Sequence, residues 1–342
     1  MQKFEINRRN FLVGAQALTI GAALPGLSVP GIAHAADLTK MTYLTPFGYI
    51  VGFAETMYAD TAGIFKKHGL DVTVEGGRGS SMAVQQVTAG NALVSRTGGT
   101  DLIKAYAKDP SIVAVGEIYQ RDIFYMISSK DAPIQKPEDM AGKTIGIVSA
   151  AGATENILDM MLAAKDVSKD SVKREVVGNA PAAFQLIKQG RIAGFIATND
   201  TAYQLQTAGE PVTAWSTDDV ALCPGQVYMT SKAQLKEKKE TIAKFMAAVY
   251  ESLGEMINAK DLSPVLASVS EKYQLAEGTR PDKGLAVLQY ASDNYKRAHT
   301  EKLKSNAEAW KSAYALMVKA KLIPELADQN FYDDSAREMA FL

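Results

Sequence analysis

One cysteine, three histidines and two tryptophans are all that 342 residues contain. With Cys223 alone, no internal disulfide can form. Its Ala-Leu-Cys-Pro setting is apolar and suits a buried, inert thiol better than a nucleophile. His34 falls within the first 35 residues, and neither His68 nor His299 has a Cys or His neighbour at metal-ligand spacing. No metal site or cofactor is expected, no catalytic residue is assigned, and a hydrolase triad is poorly supplied. Charge of either sign is also lacking in excess, at 37 Lys and Arg against 38 Asp and Glu. That excludes an electrostatic footprint for nucleic acid, and no lysine run points to a membrane surface. The uncharged stretch from Phe11 to Val29 is broken by Pro25 and Gly26 and followed by Pro30, so it does not read as a comfortable membrane span. Internal repeats and low-complexity segments are missing too.

What is there begins at the N-terminus. Lys3, Arg8 and Arg9 precede the uncharged stretch, which ends at Ala33-His34-Ala35. A basic region, an apolar region and an A-x-A site in that order make residues 1–35 a secretory signal peptide, cleaved near Ala35, and place the mature chain in the periplasm. The adjacent arginines followed by Phe11-Leu12 resemble the twin-arginine export motif, with Asn7 where Ser or Thr is usual and Val13 where Lys is usual. Cleavage leaves 307 residues with a formal charge of −3, enough for two domains.

The mature chain alternates between strand and helix periodicity. Strands are predicted over 41–45, 70–74, 92–95 and 112–115, with helices over 52–68, 82–89 (capped by Ser80) and 101–108. A strand over 123–127 leaves this sheet, and the same grammar restarts: strand 143–148, helix 153–164, strand 172–177, helix 180–188, strand 192–197. Residues 226–230 read as a strand returning to the first unit. Helices then follow over 240–259, 263–273, 282–299 and 305–319, where Trp310, Tyr314 and Met317 recur at core spacing. The predicted class is α/β: two lobes, each a mainly parallel sheet flanked by helices, with a helical C-terminal extension. Lobe I takes residues 36–125 and 226–342, and lobe II takes 126–225.

Four segments carry a resemblance. They are Ala62-Gly63-Ile64-Phe65-Lys66-Lys67-His68-Gly69-Leu70-Asp71-Val72, Val87-Thr88-Ala89-Gly90-Asn91-Ala92, Lys136-Pro137-Glu138-Asp139-Met140-Ala141-Gly142-Lys143-Thr144-Ile145-Gly146-Ile147, and Phe184-Gln185-Leu186-Ile187-Lys188-Gln189-Gly190-Arg191-Ile192-Ala193-Gly194-Phe195. In order and spacing they resemble the periplasmic solute-binding proteins of ABC importers, in the branch handling nitrate, sulfonates, taurine and thiamine-related pyrimidines. Met140 replaces a usual Leu, and Gly194 stands where Asp or Ala is usual. The resemblance implies a type II periplasmic-binding-protein-like fold, a small-molecule ligand, an inner-membrane permease as partner, and no enzymatic activity. The protein is expected to act as a monomer without nucleic acid.

In such folds the ligand lies between lobes, beyond the carboxyl ends of strands and near helix N-termini. Five loops of this sequence fit that description. Phe47 and Tyr49 follow the first strand, where they either wall a pocket or pack under the loop. Gly79, Ser80 and Ser81 open a helix after Gly77-Arg78, and a solvated Arg78 is the simpler reading. Thr97 and Thr100 flank a third turn in which Asp101 caps the next helix. Ser149, Gly152, Ala153 and Thr154 form the matching helix start in lobe II, and Asn199 and Asp200 end a later strand. The hydroxyls and helix starts suit a sulfonate or carboxylate, and the aromatic residues suit a planar or pyrimidine-like ring. An Asp200 facing the cleft would disfavour a purely anionic ligand. A thiamine-pyrimidine-synthase-like enzyme or a periplasmic sensor on the same fold are the alternatives.

Overall fold

The computed structural model describes residues 38–342, which form one compact unit. The expected signal peptide, residues 1–35, lies outside the described residues. β1 (Thr39–Thr45) leads through a 3-10 turn (Val51–Phe53) to α1 (Ala54–Thr61) and α2 (Ile64–Lys67). β2 (Leu70–Gly76), α3 (Ser80–Thr88), β3 (Val94–Gly98), α4 (Gly99–Tyr106) and β4 (Ile112–Tyr119) follow. β5 (Phe124–Ser129), β6 (Thr144–Ile147), α5 (Ala153–Ala164), β7 (Lys173–Val176), α6 (Phe184–Lys188), β8 (Gly194–Thr198), α7 (Asn199–Thr207) and β9 (Val212–Ser216) make the second unit. β10 (Gln226–Ser231) precedes α8 (Lys232–Asn258), α9 (Ser263–Tyr273), α10 (Pro281–Thr300), α11 (Ala307–Lys319) and α12 (Ser335–Ala340).

The two sheets have the same plan. Their strand orders are β2-β1-β3-β10-β4 and β7-β6-β8-β5-β9. In each, four strands run in one direction, and a reversed strand that crosses from the other lobe is inserted fourth. Thus β5, contiguous with β4, sits in the second sheet, and β10, contiguous with β9, sits in the first. Each sheet is mainly parallel, as expected, and its one reversed strand is the one that crosses between lobes. The edge strand β2 alternates buried and exposed residues, whereas β4, covered on both faces, is buried almost throughout.

Three local expectations are corrected. The helix over 52–68 breaks at Gly63, whose φ of 73° ends α1 and restarts the chain as α2. Ser80 is the first residue of α3 rather than its cap; Gly79 holds the cap position, without a side-chain bond. The helix expected from residue 240 starts eight residues earlier, at Lys232, where the Ser231 hydroxyl accepts from the Gln234 N–H at 3.2 Å.

One apolar core joins the first sheet to α1, α8 and α10, with Phe245 stacked between Tyr43 (5.3 Å) and Phe65 (5.6 Å). A second takes Leu44 and Met229 from the first sheet, Met126 and Ile145 from the other, and Trp310 and Met317 from α11. The lobes thus share buried apolar surface on the α11 side, at about 1.5–3 kcal/mol per large side chain.

Candidate functional site

The first two loops are tied into one piece. Gly77 N–H donates to the Thr45 carbonyl (2.9 Å), Gly48 N–H to the Gly77 carbonyl (2.8 Å) and Gly79 N–H to the Pro46 carbonyl (2.7 Å). A Cβ on Gly77 would lie 2.1 Å from the Thr45 carbonyl oxygen, so only glycine permits the contact. Phe47 bridges to Arg78 and leaves its ring 66% exposed, available as a wall. The Tyr49 hydroxyl donates to the Val74 carbonyl and its ring lies 5.0 Å from Tyr273. Arg78 is exposed.

Ser80 and Asp101 face each other across the starts of α3 and α4. Burial raises the Asp101 carboxyl above its ordinary range, while the Ser80 hydroxyl and Lys104 pull it back. Both residues line a cavity of about 700 Å³ with Gln85, Lys104, Lys108 and, from the second lobe, Ala151. The structure therefore brings the Ser80 loop and the Ser149–Thr154 loop to one space. Lys104 Nζ crosses it to donate to Asn156 Oδ1 on α5 at 3.0 Å. Within the second loop Ser149 is exposed, Gly152 caps α5 and Ala153 is its first residue. Thr154 is buried, and its hydroxyl accepts from the Val148 N–H at 3.0 Å, pinning loop to strand. Ala151 holds a left-handed φ of 56°, a strained conformation at the rim of the cavity. Ser81 lies in the first turn of α3. Thr97 and Thr100 are buried, and the Thr97 hydroxyl has no partner among the described residues.

At the start of α7, Asn199 N–H donates to the Ile123 carbonyl (2.7 Å) and its Oδ1 accepts from the Asp200 N–H (3.0 Å). Asn179, which the sequence reading missed, accepts from the Thr198 N–H at 3.1 Å and donates to the Thr198 hydroxyl at 2.9 Å. The Gly178-Asn179 pair after a strand was its signal. One contact between the two halves was not foreseen: α10 brings Tyr290 to stack on Tyr203 of α7, with centroids 4.7 Å apart.

The crossing segments, 120–123 and 217–225, meet at two aspartates. Thr217 Oγ1 donates to Asp122 Oδ2 (2.9 Å), and the Asp122 N–H and Arg121 Nε donate to Asp218 Oδ2 (3.0 and 2.9 Å). Burial, and then the neighbouring Asp218, push Asp122 up to about 7. Cys223 is buried in the apolar core as expected, and on one side it meets two carboxylates. Its sulfur and the two carboxylates offer ligand atoms within 4.8 Å of one another, and burial pushes the thiol up. The carboxylate oxygens are already bonded to Thr217, Arg121 and the backbone N–H groups of Asp122, Ile123 and Cys223, so the cluster holds protons and backbone rather than forming an open donor set.

Beneath the first lobe's loops lies a buried ion pair. Arg96 Nη1 donates to Glu55 Oε1 (2.8 Å) and the Gly52 carbonyl (3.0 Å), and the Tyr228 and Tyr295 hydroxyls also donate to the Glu55 carboxylate. Phe53 and Tyr119 lie 4.8 and 5.2 Å from the guanidinium carbon. This network fixes the turn before α1, and an arginine inside an apolar strand was its signal in the sequence.

Two lobes that exchange strands and share a loop-lined gap are a plan other proteins have. Residues 51–261 match the model of the family described as NMT1/THI5 like. The chain belongs to the NMT1/THI5-like family. YtlA of Bacillus subtilis, which carries the name binding protein, is 20% identical over 284 residues, 80% of this chain and 81% of its own. The periplasmic aliphatic sulphonate binding protein SsuA of Escherichia coli superposes with a TM-score of 0.62 at 14% identity, over 88% of this chain and 91% of its own. The nitrate-binding protein NrtA of Synechocystis gives 0.57 at 10% identity, over 89% and 88%. At these identities the likeness establishes the periplasmic-binding-protein fold for this NMT1/THI5-like chain. The resemblance read from its sequence to the nitrate, sulfonate and thiamine-pyrimidine branch holds.

Proposed function

We propose that this chain is the solute-capturing component of an ABC importer: exported to the periplasm, freed of residues 1–35, and closing two lobes on one small solute. Lobe I would comprise residues 36–125 and 226–342 and lobe II residues 126–225, hinged at the two crossing segments. The observation that carries this reading is the cavity reached by Ser80, Asp101 and Lys104 from one lobe and by Ala151 from the other. First-turn N–H groups of α3 and α5 have no intrahelical acceptors, and the helix dipole adds to their pull on a sulfonate or carboxylate. The exposed Phe47 ring would lie against a planar or pyrimidine-like solute.

Capture without chemistry suits the side chains. His68 is held by Glu251 at 2.8 Å and His299 is stacked on Tyr250 at 4.2 Å, both engaged with α8. No helix among the described residues is long and apolar enough to cross a membrane, so delivery calls for a separate inner-membrane permease, met by a monomer.

Thermal unfolding of residues 36–342 against panels of sulfonates, carboxylates and pyrimidines tests this. A ligand at 100 times its Kd stabilises the native state by about 2.7 kcal/mol, and small-angle scattering should show the bound form more compact. A panel that leaves the midpoint unmoved, or turnover of a binder by the protein alone, defeats the reading.

A further inference from the structure

The end of the first sheet away from the candidate site has a cavity of its own. β10 runs against its neighbours, so its last residue, Ser231, pairs with Ile112 at the start of β4, far from the loops that follow β1, β2 and β3. The cavity there measures about 600 Å³. Its floor is apolar, made by the buried Val113 and Leu235. One wall is the start of α8, and the other is the segment that leads into α12. None of its residues belongs to the loops described above.

Lys232, Lys236 and Lys239 all line it. Their i, i+4, i+7 spacing gathers three ammonium groups on one face of α8, although no run of lysines marks the sequence. The backbone leaves helical angles at Lys238, and the lysine lining continues across that break. Lys232 is tethered: its Nζ donates to the Tyr106 hydroxyl at 3.0 Å and lies 3.7 Å from Asp328. Among the described residues Lys236 and Lys239 enter no ion pair, and the neighbouring Glu240 is taken by Lys244 at 3.0 Å. Lys239 is half-buried all the same. The acid in the lining, Asp333, is exposed, and its Oδ1 accepts from the Ser335 N–H at 2.9 Å. A merely solvated lysine face would give no saturable binding, and that separates the two accounts.

We propose that this rear cavity binds a small phosphate monoester of a polyol, separately from any solute held between the lobes. Such a phosphate carries close to two negative charges near neutral pH, which Lys236 and Lys239 can balance. Lysine meets phosphate as a point charge, and no arginine fork of the kind that suits a planar carboxylate lines the cavity. The apolar floor takes the carbon skeleton. Asp333 and Asn330, on the wall opposite the lysines, take hydroxyl groups. The proposal stands or falls independently of solute capture between the lobes.

Calorimetric titration of glucose 6-phosphate, glucose and inorganic phosphate into residues 36–342 tests it. Glucose 6-phosphate should bind saturably and about tenfold or more tighter than either of the others, the scale of charge-assisted bonds. Its affinity should weaken as salt is raised. Lys239→Gln should cost about tenfold, and Lys236→Gln with Lys239→Gln should abolish binding, with the unfolding midpoint unmoved because neither lysine holds a partner. Lys244→Gln, on the same helix outside the cavity, should leave affinity within about twofold. Asp333→Asn keeps an acceptor for Ser335 and should lower the ratio of glucose 6-phosphate to inorganic phosphate affinity. The proposal is overturned by glucose 6-phosphate binding no tighter than inorganic phosphate, or by binding that survives the double substitution. Adhesion to phosphatidylglycerol vesicles with no response to glucose 6-phosphate would also overturn it, because the lysines would then serve a membrane surface.

Discussion

Single residues in this molecule are tuned by burial more than by partners. Glu117 is the sharpest case. It lies fully buried in β4, its Oε1 accepts from the Trp310 indole, and its Oε2 has no partner among the described residues. Desolvation pushes its carboxyl up to about 8, against the smaller lowering effects of Trp310 and Asn306; Asp334 and Glu301 raise it further. Asp122 is held near 7 by burial and by Asp218. In the unfolded chain both acids ionise near pH 4, so between there and pH 8 the folded state holds more protons. Their contribution is therefore complete below about pH 4 and is lost as pH rises through 7 and 8, at up to about 1.4 kcal/mol per pH unit for each group. The unfolding midpoint is expected to fall from pH 5 to pH 8. Glu117→Gln, which cannot ionise, should flatten that fall without removing it, because Asp122 remains. A midpoint that rises over this range, or a slope that Glu117→Gln leaves unchanged, would contradict the assignment.

Elements show where local pattern suffices and where it fails. The helices over 153–164 and 263–273 appear with the limits expected from sequence, because apolar periodicity and their first-turn residues are local facts. β9 and α7 gave too weak a periodic signal and were not foreseen; β9 has a single fully buried residue, and α7 has a polar sequence. The loops joining strands to helices depend on contacts between neighbours. Gly77 sits against the Thr45 carbonyl, and Gly225 would place a Cβ 2.1 Å from the Arg121 carbonyl oxygen. Gly77→Ala should force the two loops apart. A cost of about 1–3 kcal/mol is expected, the scale of overpacking a tight site, seen as a lowered unfolding midpoint, together with weaker binding of whichever solute the wild type accepts. Unchanged affinity would show that the β1 and β2 loops play no part in the site.

The whole molecule is two similar sheets laced by two strands, with α11 spanning both. α11 packs against α5 and α4, so the lobes rest on shared apolar surface on one side. Elsewhere they meet through Lys104–Asn156 and the Tyr203–Tyr290 stack. Closure about the crossing segments would pivot on the first and act on the others. Lys104→Met should loosen the closed form: spin labels placed on α3 and α5 should report a broader distance distribution without ligand, and the midpoint should drop by a few degrees because Asn156 is left buried with its bond unmade. A distribution identical to the wild type would show that the bond does not hold the lobes.

The chain's own order determined the alternation of strand and helix, the restart of that alternation near residue 143, and the kinship carried by four spaced segments. Those features are written in periodicity, turn residues and motif spacing, which act over a few residues. Tertiary structure alone decided that β5 and β10 run antiparallel to the other strands of the sheets they enter, that Cys223 faces Asp122, that Glu55 neutralises Arg96, and that Tyr290 of α10 stacks on Tyr203 of α7. Each of these is a meeting of residues tens to hundreds of positions apart, and burial sets its energy only once the partners have met.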